Sequence, residues 1–214
     1  MAETSTAARY LPENPGELTL AEVRARARKC RACPLYKLGT QTVFGEGPSR
    51  ARVVFIGEQP GDQEDRTGHP FVGPAGRLFD QALAGAGIDR DDVYVTNAVK
   101  HFKWKPAGKR RLHQKPSARE ITACRPWLET ELRLIHPAVV VALGATAAQT
   151  LMGPAFRVTR ERGKPVKVAW ATVFFATVHP SSILRGPPED RARALGEFEA
   201  DLRKIAAHPA FKKG

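Results

Sequence analysis

A histidine beside a dense run of positive charge is the first feature of the chain that suggests chemistry. Residues 106–116 read PAGKRRLHQKP, a loop-like run between two prolines. The side chains of Lys109, Arg110 and Arg111 can hold phosphate groups, because cationic side chains neutralise phosphate charge. His113 follows two positions after Arg111. A neutral imidazole is a competent nucleophile, so this residue is either one more solvated polar group or a reactive one.

Three cysteines and a histidine have the composition of a metal site. The chain has three cysteines: Cys30 and Cys33 in the motif CRAC, and Cys124 much later in ACRPW. An odd count in a cytosolic chain argues against a disulfide framework and favours metal binding or catalysis. A four-coordinate site needs a fourth ligand, for which His101 is the best candidate. A redox dithiol, or buried cysteines that pack as small hydrophobic residues, are the alternatives.

The elements that would position these residues begin with four short apolar runs. Each run is nearly continuous in hydrophobicity and rich in β-branched residues, as is typical of strands buried on both faces of a parallel sheet. The predicted strands cover residues 51–57, 93–99, 138–144 and 172–178.

Helical spacing of apolar residues alternates with these runs. The alternation predicts an α/β fold, a three-layer αβα sandwich with a central four-stranded parallel sheet. A further segment, 156–170, has β character around a glycine and predicts a peripheral hairpin. The predicted helices cover residues 19–30, 75–87, 121–135 and 191–207.

Polar or glycine-rich stretches lie at the end of each predicted strand. Ligands of an open parallel sheet bind at the carboxyl ends of its strands, so we expect these stretches to meet at one edge. They are GEQPGD (57–62), TNAVKH (96–101), GAT (144–146) and HPSS (179–182). The sequence thus predicts a site there by geometry, before any motif is recognised.

The charge balance favours a polyanionic partner. The chain has 34 Lys and Arg residues against 22 Asp and Glu, a net charge of +12, which favours nucleic acid over an anionic membrane, with a generally basic soluble protein as the alternative. No apolar run approaches the roughly 20 residues that span a bilayer, and the N-terminus lacks a signal-peptide core. We expect a cytoplasmic protein with no membrane partner, in which a single domain (17–208) lies between a flexible N-terminal tail (1–16) and a C-terminal tail (209–214).

The longer motifs, taken together, resemble one known family. They are GEQPGDQEDRTGHPFVGPAGRLFD, VYVTNAVKHF, KRRLH and ATVHPSSILR, accompanied by the Cys-x-x-Cys motif and by ACRPW. These strings are similar to the iron–sulfur uracil-DNA glycosylases of bacteria, and more narrowly to the UdgX subgroup, which is related to family 4. The resemblance covers residues 17–205, nearly the whole chain.

The resemblance implies a fold and a cofactor. Members of this family have a four-stranded parallel sheet between helices, which agrees with the pattern above, and they hold a [4Fe–4S] cluster. The implied ligands are Cys30, Cys33, His101 and Cys124, with His101 where family 4 has a cysteine. An imidazole lacks the charge of a thiolate and raises the cluster's potential. We expect the cluster to brace the loops that face DNA, with redox sensing as the alternative.

The resemblance also implies how the base is held. Phe71 would stack on a uracil flipped out of DNA, an interaction worth roughly 1–3 kcal/mol. Asn97 would read the uracil edge, since its amide both donates and accepts. His179 would donate a hydrogen bond to uracil O2 as negative charge develops, and Gly57 belongs to the same substrate-binding set. The residue types alone are equally typical of a phenylalanine in the core, an asparagine in a turn and a histidine with a structural role.

GEQPG and KRRLH are the two marks of the UdgX subgroup. Glu58, Gln59 and Asp62 lie in the motif that positions whatever attacks C1′ of the sugar, although by residue type the carboxylates need only cap a helix or shape a turn. His113 matches the residue that attacks C1′ and stays bonded to it, with Glu58 holding its other N–H. The implied enzyme excises uracil once and remains covalently linked to the abasic site.

The expected partner is uracil-containing DNA, with uracil as the released base and the protein as a monomer. Single-stranded DNA is favoured because it needs no unpairing. Arg111 is also expected to hold the loop closed. Two alternatives stay open: an ordinary multiple-turnover glycosylase that uses water, and a non-catalytic iron–sulfur protein that binds DNA. The expected DNA contacts are Lys109, Arg110, Arg111, Ser181, Ser182 and Arg185.

Overall fold

The central sheet has four parallel strands, which are hydrogen-bonded in the order Val93–Asn97, Val53–Gly57, Val139–Leu143 and Val173–Thr177. The structure, a computed structural model, describes residues 6–212. Each predicted apolar run forms a strand whose five residues are all buried, which confirms the three-layer α/β prediction. The strands are β1 Val53–Gly57, β2 Val93–Asn97, β5 Val139–Leu143 and β6 Val173–Thr177, with a separate antiparallel pair, β3 Trp104–Ala107 and β4 Arg110–His113.

Helices cover both faces of the sheet and connect its strands. They are α1 Leu20–Ala27, α2 Asp62–Thr67, α3 Pro74–Gly85, α4 Ala118–Ile135, α5 Ala145–Met152, α6 Val158–Glu161, α7 Pro180–Arg185 and α8 Arg191–Ala207. The longest of them, α4, begins at a capping box in which Ser117 and Glu120 satisfy each other's backbone N–H groups. Across residues 6–212, none of the helices has the length and apolar character needed to cross a membrane.

Alternate residues of the strands build two separate hydrophobic layers, as the period of two requires. Phe55 points to one face, where α3 and α8 contribute Phe79 and Phe198. Its neighbour Ile56 points to the other face, against Leu128 of α4 and residues of α5. Because both faces are covered, the polar ends of the strands are left to form a site at the edge of the sheet.

Two predicted elements differ from the structure. The helix predicted over 19–30 ends at Ala27, because the next residues tighten into a turn in which Cys30 N–H donates to Ala27 O (3.0 Å). The hairpin predicted over 156–170 is wrong: the segment contains the short helix α6 and one isolated bridge from Val166 to β6. Its β-branched and aromatic residues pack on the sheet face instead of pairing with one another.

The loop-like run 106–116 is mainly a β-hairpin. Strands β3 and β4 pair from Trp104 opposite His113 to Ala107 opposite Arg110. Gly108 forms the turn with φ of +57°, a conformation that glycine adopts without strain. The hairpin thus gives His113 a defined place at the end of a strand.

The predicted tails pack against the domain in their described parts. Ala7 is fully buried and Tyr10 packs on Trp127 of α4, because both lie in a short 3-10 turn that contacts this helix. At the other end, Ala210 belongs to the core and its carbonyl accepts from Arg52 Nε (2.8 Å). Residues 1–5 and 213–214 lie outside the described residues.

Candidate active site

The candidate base pocket is the space beside Gly57, where β1 and β2 end side by side. Gly57 pairs in register with Asn97, the last residue of β2. A Cβ atom on Gly57 would lie 2.9 Å from the Phe71 ring and would overlap the Asn97 side-chain oxygen. The absence of a side chain at Gly57 therefore leaves room for an amide and an aromatic ring to face the same space.

Phe71 is held in an uncommon backbone conformation. Its φ is +59°, which is rare for a residue with a side chain and is found mostly where the surrounding structure enforces it. The first turn of α3 enforces it here, because Gly76 approaches so closely that a Cβ would overlap the Phe71 backbone. The ring centroid of Phe71 is 5.4 Å from that of Phe79 and 6.4 Å from that of His179, to which it lies nearly parallel (28°). The ring is thus fixed beside the imidazole.

His179 is fixed as a neutral donor. It precedes α7, and its Nδ1 accepts the backbone N–H of Ser181 (3.1 Å). Burial lowers its pKa to about 4, and the positive charges of Arg185 and His113 act in the same direction. The ring is therefore uncharged near pH 7, and with Nδ1 accepting, the proton is on Nε2.

Gln59 joins the first motif to the base of the hairpin. Its Nε2 donates to the carbonyls of Lys103 (3.2 Å) and Gln114 (3.0 Å), which flank the hairpin on either side. Its Oε1 accepts from the Lys103 N–H (3.0 Å). A primary amide supplies donor and acceptor together, so this side chain holds both ends of the hairpin next to β1.

Arg111 fastens the hairpin to α2. Its guanidinium donates to Asp62 and, at 2.6 Å, to Asp65, and it lies 5.4 Å from the ring centroids of both Phe102 and Trp104. Burial disfavours ionisation of Asp62, but hydrogen bonds from arginine hold its pKa below the usual value. With its guanidinium engaged by two carboxylates, Arg111 is a lock within the protein and is poorly placed to grip phosphate.

The locked hairpin carries His113 to the carboxylate of Glu58. His113 Nε2 lies 3.4 Å from Glu58 Oε1, with the histidine side chain 46% exposed. Desolvation lowers the pKa of His113, assisted by Arg185, while the charge of Glu58 raises it. The other Glu58 oxygen, Oε2, accepts from the hydroxyl of Thr146 in α5. Sequence reasoning singled out the GAT stretch as part of the edge but assigned Thr146 no contact.

Three of the predicted metal ligands, the cysteines, belong to one hydrophobic cluster. Cys30 and Cys124 are buried in one cluster with Cys33 at its margin, between α1 and α4. Burial raises the pKa of Cys124 to about 12, the charge and backbone N–H of Lys100 oppose this rise, and the other two thiols add a little to it. This position is shielded from water, and thiols with one imidazole form a donor set suited to an iron–sulfur cluster.

His101 is the fourth residue of the predicted ligand set. It is buried, and burial lowers its pKa to about 4, which keeps the ring neutral and able to bind a metal. Its Nε2 is 3.0 Å from Thr42 Oγ1. Within residues 6–212, no three or more His, Cys, Asp or Glu side chains are arranged as a metal-binding group. The donor chemistry fits a cluster, whereas a closed ligand set is not formed.

The remaining predicted DNA contacts lie at the rim of this edge. Lys109, Arg110 and Arg185 are exposed. Arg185 acts electrostatically on both His113 and His179, so its charge is close to the pocket. The two serines of HPSS make local contacts, with Ser181 Oγ 2.8 Å from His179 Nδ1 and Ser182 Oγ donating to the His179 carbonyl (2.7 Å).

One buried network beneath the pocket was missed by sequence reasoning. Glu131 of α4 is fully buried and forms an ion pair with Lys100, which is also buried. Lys100 Nζ donates in turn to the backbone carbonyl of Asn97 (2.8 Å). In the sequence, a Lys after a strand and a Glu in a helix are indistinguishable from surface charges, because nothing local marks them as partners.

The fold and site define an α/β protein with a pocket, at the carboxyl edge of its sheet, formed by an aromatic ring, an amide and a neutral imidazole. Residues 44–203 match the uracil DNA glycosylase superfamily. The chain belongs to this superfamily.

Curated relatives agree with this membership, and a solved structure has a similar fold. The chain is 40% identical over 176 residues to the type-4 uracil-DNA glycosylase of Thermotoga maritima, covering 82% of this chain and 88% of that protein. It is 35% identical over 194 residues to the type-4 enzyme of Archaeoglobus fulgidus, covering 87% and 92% respectively. The crystal structure of Pedobacter heparinus SMUG2 matches with a TM-score of 0.54 at 14% identity, covering 74% of this chain and 77% of that one. At that identity the likeness concerns the fold alone.

Proposed function

We propose that this protein excises uracil from DNA and becomes covalently linked through His113 to C1′ of the abasic site. The observation that carries the proposal is the hairpin lock, which brings the exposed imidazole of His113 to the Glu58 carboxylate at the carboxyl edge of the sheet. Membership of the superfamily and the type-4 relatives support the excision step.

Base recognition falls to Phe71 and Asn97, the two side chains that approach Gly57. The Phe71 ring offers a face for the flipped uracil, with a stacking free energy of roughly 1–3 kcal/mol. The Asn97 amide presents a donor and an acceptor to uracil O4 and N3–H. The rigid φ of Phe71 and the close approach at Gly57 favour a flat base of limited size.

His179 stabilises the departing base. Cleavage breaks the C1′–N1 bond, and uracil leaves with the bonding electron pair while positive charge develops at C1′. A neutral imidazole whose Nδ1 is held by the Ser181 N–H presents Nε2–H to uracil O2. A donor that is already oriented needs no reorganisation as the charge appears, and this is often the largest contribution to catalysis.

His113 then forms the new bond. Desolvation keeps the pKa of its imidazole low, so a lone pair is available to attack C1′. Attack makes an alkylated, positively charged ring, which the Glu58 carboxylate stabilises. The ring then gives up its remaining N–H proton through Glu58, and this balances the proton that the uracil anion gains on leaving. The result is a stable N-glycosidic bond between protein and sugar.

The exposed cations of the hairpin and of α7 hold the strand. Lys109, Arg110 and Arg185 neutralise phosphate charge, and the hydroxyls of Ser181 and Ser182 add hydrogen bonds. Arg111 contributes indirectly, because its carboxylate partners hold the hairpin closed over the site. Single-stranded DNA is the favoured substrate, since its bases need no unpairing.

Cys30, Cys33, His101 and Cys124 would hold a [4Fe–4S] cluster. When bound, the cluster would cross-link α1, the β2 end and α4 and so brace the segments that support the hairpin. Metal affinity requires loss of the thiol protons, which burial of Cys124 opposes in the cluster-free protein. Iron and acid-labile sulfide analysis of the purified protein, with Cys124→Ser as the comparison, tests this assignment.

Ordinary turnover with water as the nucleophile is the second candidate. The type-4 relatives and the 46% exposure of the His113 side chain, which admits water to the site, favour it. A single denaturing gel separates the two. Protein is mixed with a uracil oligonucleotide, boiled in denaturant and compared with His113→Ser and His69→Ser. His69 is the matched control because it pairs with the Glu46 carboxylate at 2.8 Å.

We expect a heat-stable shifted band with the parent and with His69→Ser, and none with His113→Ser or with thymine in place of uracil. Free abasic strand in all lanes, with more uracil released than protein present, would contradict the covalent step and support ordinary turnover. If the parent protein leaves the uracil DNA intact, the proposed glycosylase activity is contradicted, and the result favours a non-catalytic DNA-binding protein.

A further inference from the structure

Glu58 has a second partner, the hydroxyl of Thr146. Thr146 lies in the first turn of α5, directly after β5, and is 5% exposed. Its Oγ1 donates to Glu58 Oε2, across a sequence separation of 88 residues. The other carboxylate oxygen, Oε1, is the one that faces His113.

We propose that Thr146 is a positioning residue that orients the Glu58 carboxylate toward His113 and so commits the sugar to the protein instead of to water. The inference rests on the function proposed above. It concerns whether His113 or water bonds to C1′ after uracil leaves, a choice that neither family membership nor the base-binding residues decide.

The hydroxyl of Thr146 is free for this task because of its place in the helix. A threonine inside a helix commonly donates to the carbonyl four residues earlier, as Thr150 does to Thr146 O (2.8 Å). For Thr146, the residue four positions earlier is in β5, outside the helix. The hydroxyl therefore turns outward across the sheet edge to Glu58.

The turn before α5 fixes where that hydroxyl points. Gly144 has φ of +88°, a conformation open to glycine, and its N–H donates to Thr177 O (2.8 Å) in β6. The helix start is thus tied to the neighbouring strand. Thr146 is carried on a rigid element, as a group that orients another must be.

Fixing one carboxylate oxygen restricts the other. A glutamate side chain rotates freely about its last torsion when unbound, so that either oxygen could face His113 or solvent. With Oε2 held by Thr146, only Oε1 is left for the imidazole, and the ring is kept in a single orientation beside C1′. Loss of the hydroxyl frees Glu58, which then can also orient a water molecule.

The test measures two products of the same reaction. Uracil release and the adduct fraction of excised sites are quantified for the parent, Thr146→Val, Thr146→Ala and Thr146→Ser. Valine keeps the shape without the donor, and serine keeps the donor. Thr150→Val is the control, since it removes a hydroxyl one turn further along α5 with no contact to Glu58.

We expect the rate of adduct formation in Thr146→Val to fall by roughly 10-fold, the scale of one hydrogen bond to a charged group. Uracil release should fall less, and free abasic strand should appear. Thr146→Ser should restore the adduct fraction, and Thr150→Val should match the parent. If the valine variant does not fold, the adduct fraction and uracil release of Thr146→Ala supply the same test.

The possible failures are distinguishable. A parent that forms no adduct would overturn the proposed function and this inference together. A parent that forms the adduct while Thr146→Val and Thr146→Ala keep its full fraction would overturn only the role of Thr146. Equal losses of adduct and uracil release in these variants, without rescue by serine, would show a structural role and likewise overturn it.

Discussion

Removing both members of the buried Lys100–Glu131 ion pair should destabilise the protein less than the sum of the two single removals. Neither side chain has more than 1% of its surface exposed. Glu131 also accepts from the hydroxyls of Tyr94 (2.9 Å) and Thr96 (3.0 Å) and from the Gly45 N–H (3.1 Å). Each charge therefore has hydrogen-bond partners in the folded protein, although burial removes its hydration.

The size of the effect follows from these contacts. Glu131→Leu leaves an ammonium buried with only two neutral acceptors, Thr96 Oγ1 (2.6 Å) and Asn97 O (2.8 Å), and breaking a buried pair in this way costs about 3–5 kcal/mol of unfolding free energy. Lys100→Met leaves a buried carboxylate that keeps three hydrogen-bond donors. We therefore expect a loss of unfolding free energy at the lower end of that range, about 3 kcal/mol. The double variant buries no charge, and its loss should not exceed the larger single loss.

Urea unfolding of the two single variants and the double variant, followed by tryptophan fluorescence, measures the coupling. The expected coupling free energy is at least about 2 kcal/mol, because paired charges in one network are non-additive. Losses that add to within about 0.5 kcal/mol would refute the reasoning, since they would mean that each charge is satisfied without the other. The double variant should also excise uracil more slowly, because the support of the Asn97 carbonyl is gone.

Three further outcomes are expected. Adduct formation requires a neutral His113, whose pKa is lowered by desolvation, so the rate of adduct formation should be constant at neutral pH and fall on acidification. Because the Glu58 carboxylate raises the pKa of His113, Glu58→Gln should move this fall to lower pH. A pH profile whose midpoint does not move would contradict this expectation. Gly57→Ala should abolish uracil release with little loss in melting temperature, because the new Cβ overlaps the Asn97 side chain. Retained uracil release would contradict the assignment of the base-binding site to the space beside Gly57. Arg111→Lys should raise hydrogen exchange in β4 and slow adduct formation about 10-fold or more, since a lysine cannot bridge two carboxylates. The control is Arg193→Lys in α8, where an exposed arginine also bridges two carboxylates, and equal effects of the two substitutions on adduct formation would contradict the role of Arg111 in holding the hairpin.

Regular elements were the most predictable part of this fold. A run such as VVFIG is hydrophobic at every position, which suits only a strand covered on both faces, and the heptad-like spacing in α8 marks one apolar stripe. The segment 156–170 was mispredicted because β-branched residues also pack well on the face of an existing sheet. The hairpin that carries His113 was read as a loop, since its short strands are polar and exposed.

The residues of the candidate site were predictable in kind, but most of their contacts were not. Polar motifs at strand ends are visible in the sequence, because the chain direction of parallel strands brings those ends to one edge. The partner of each side chain is not visible. Arg111 reads as a phosphate contact until the fold places Asp62 and Asp65 beside it.

By itself, the sequence determined the three-layer architecture, the edge at which the site lies and the types of side chain available there. These depend on local hydrophobic patterns and on strand polarity, which act over a few residues. The tertiary structure alone decided that Thr146 contacts Glu58, 88 residues away, and that Arg111 contacts Asp65, 46 residues away. Such pairings depend on how strands are ordered and how a hairpin docks, so the free energy that selects them comes from the packing of the whole domain.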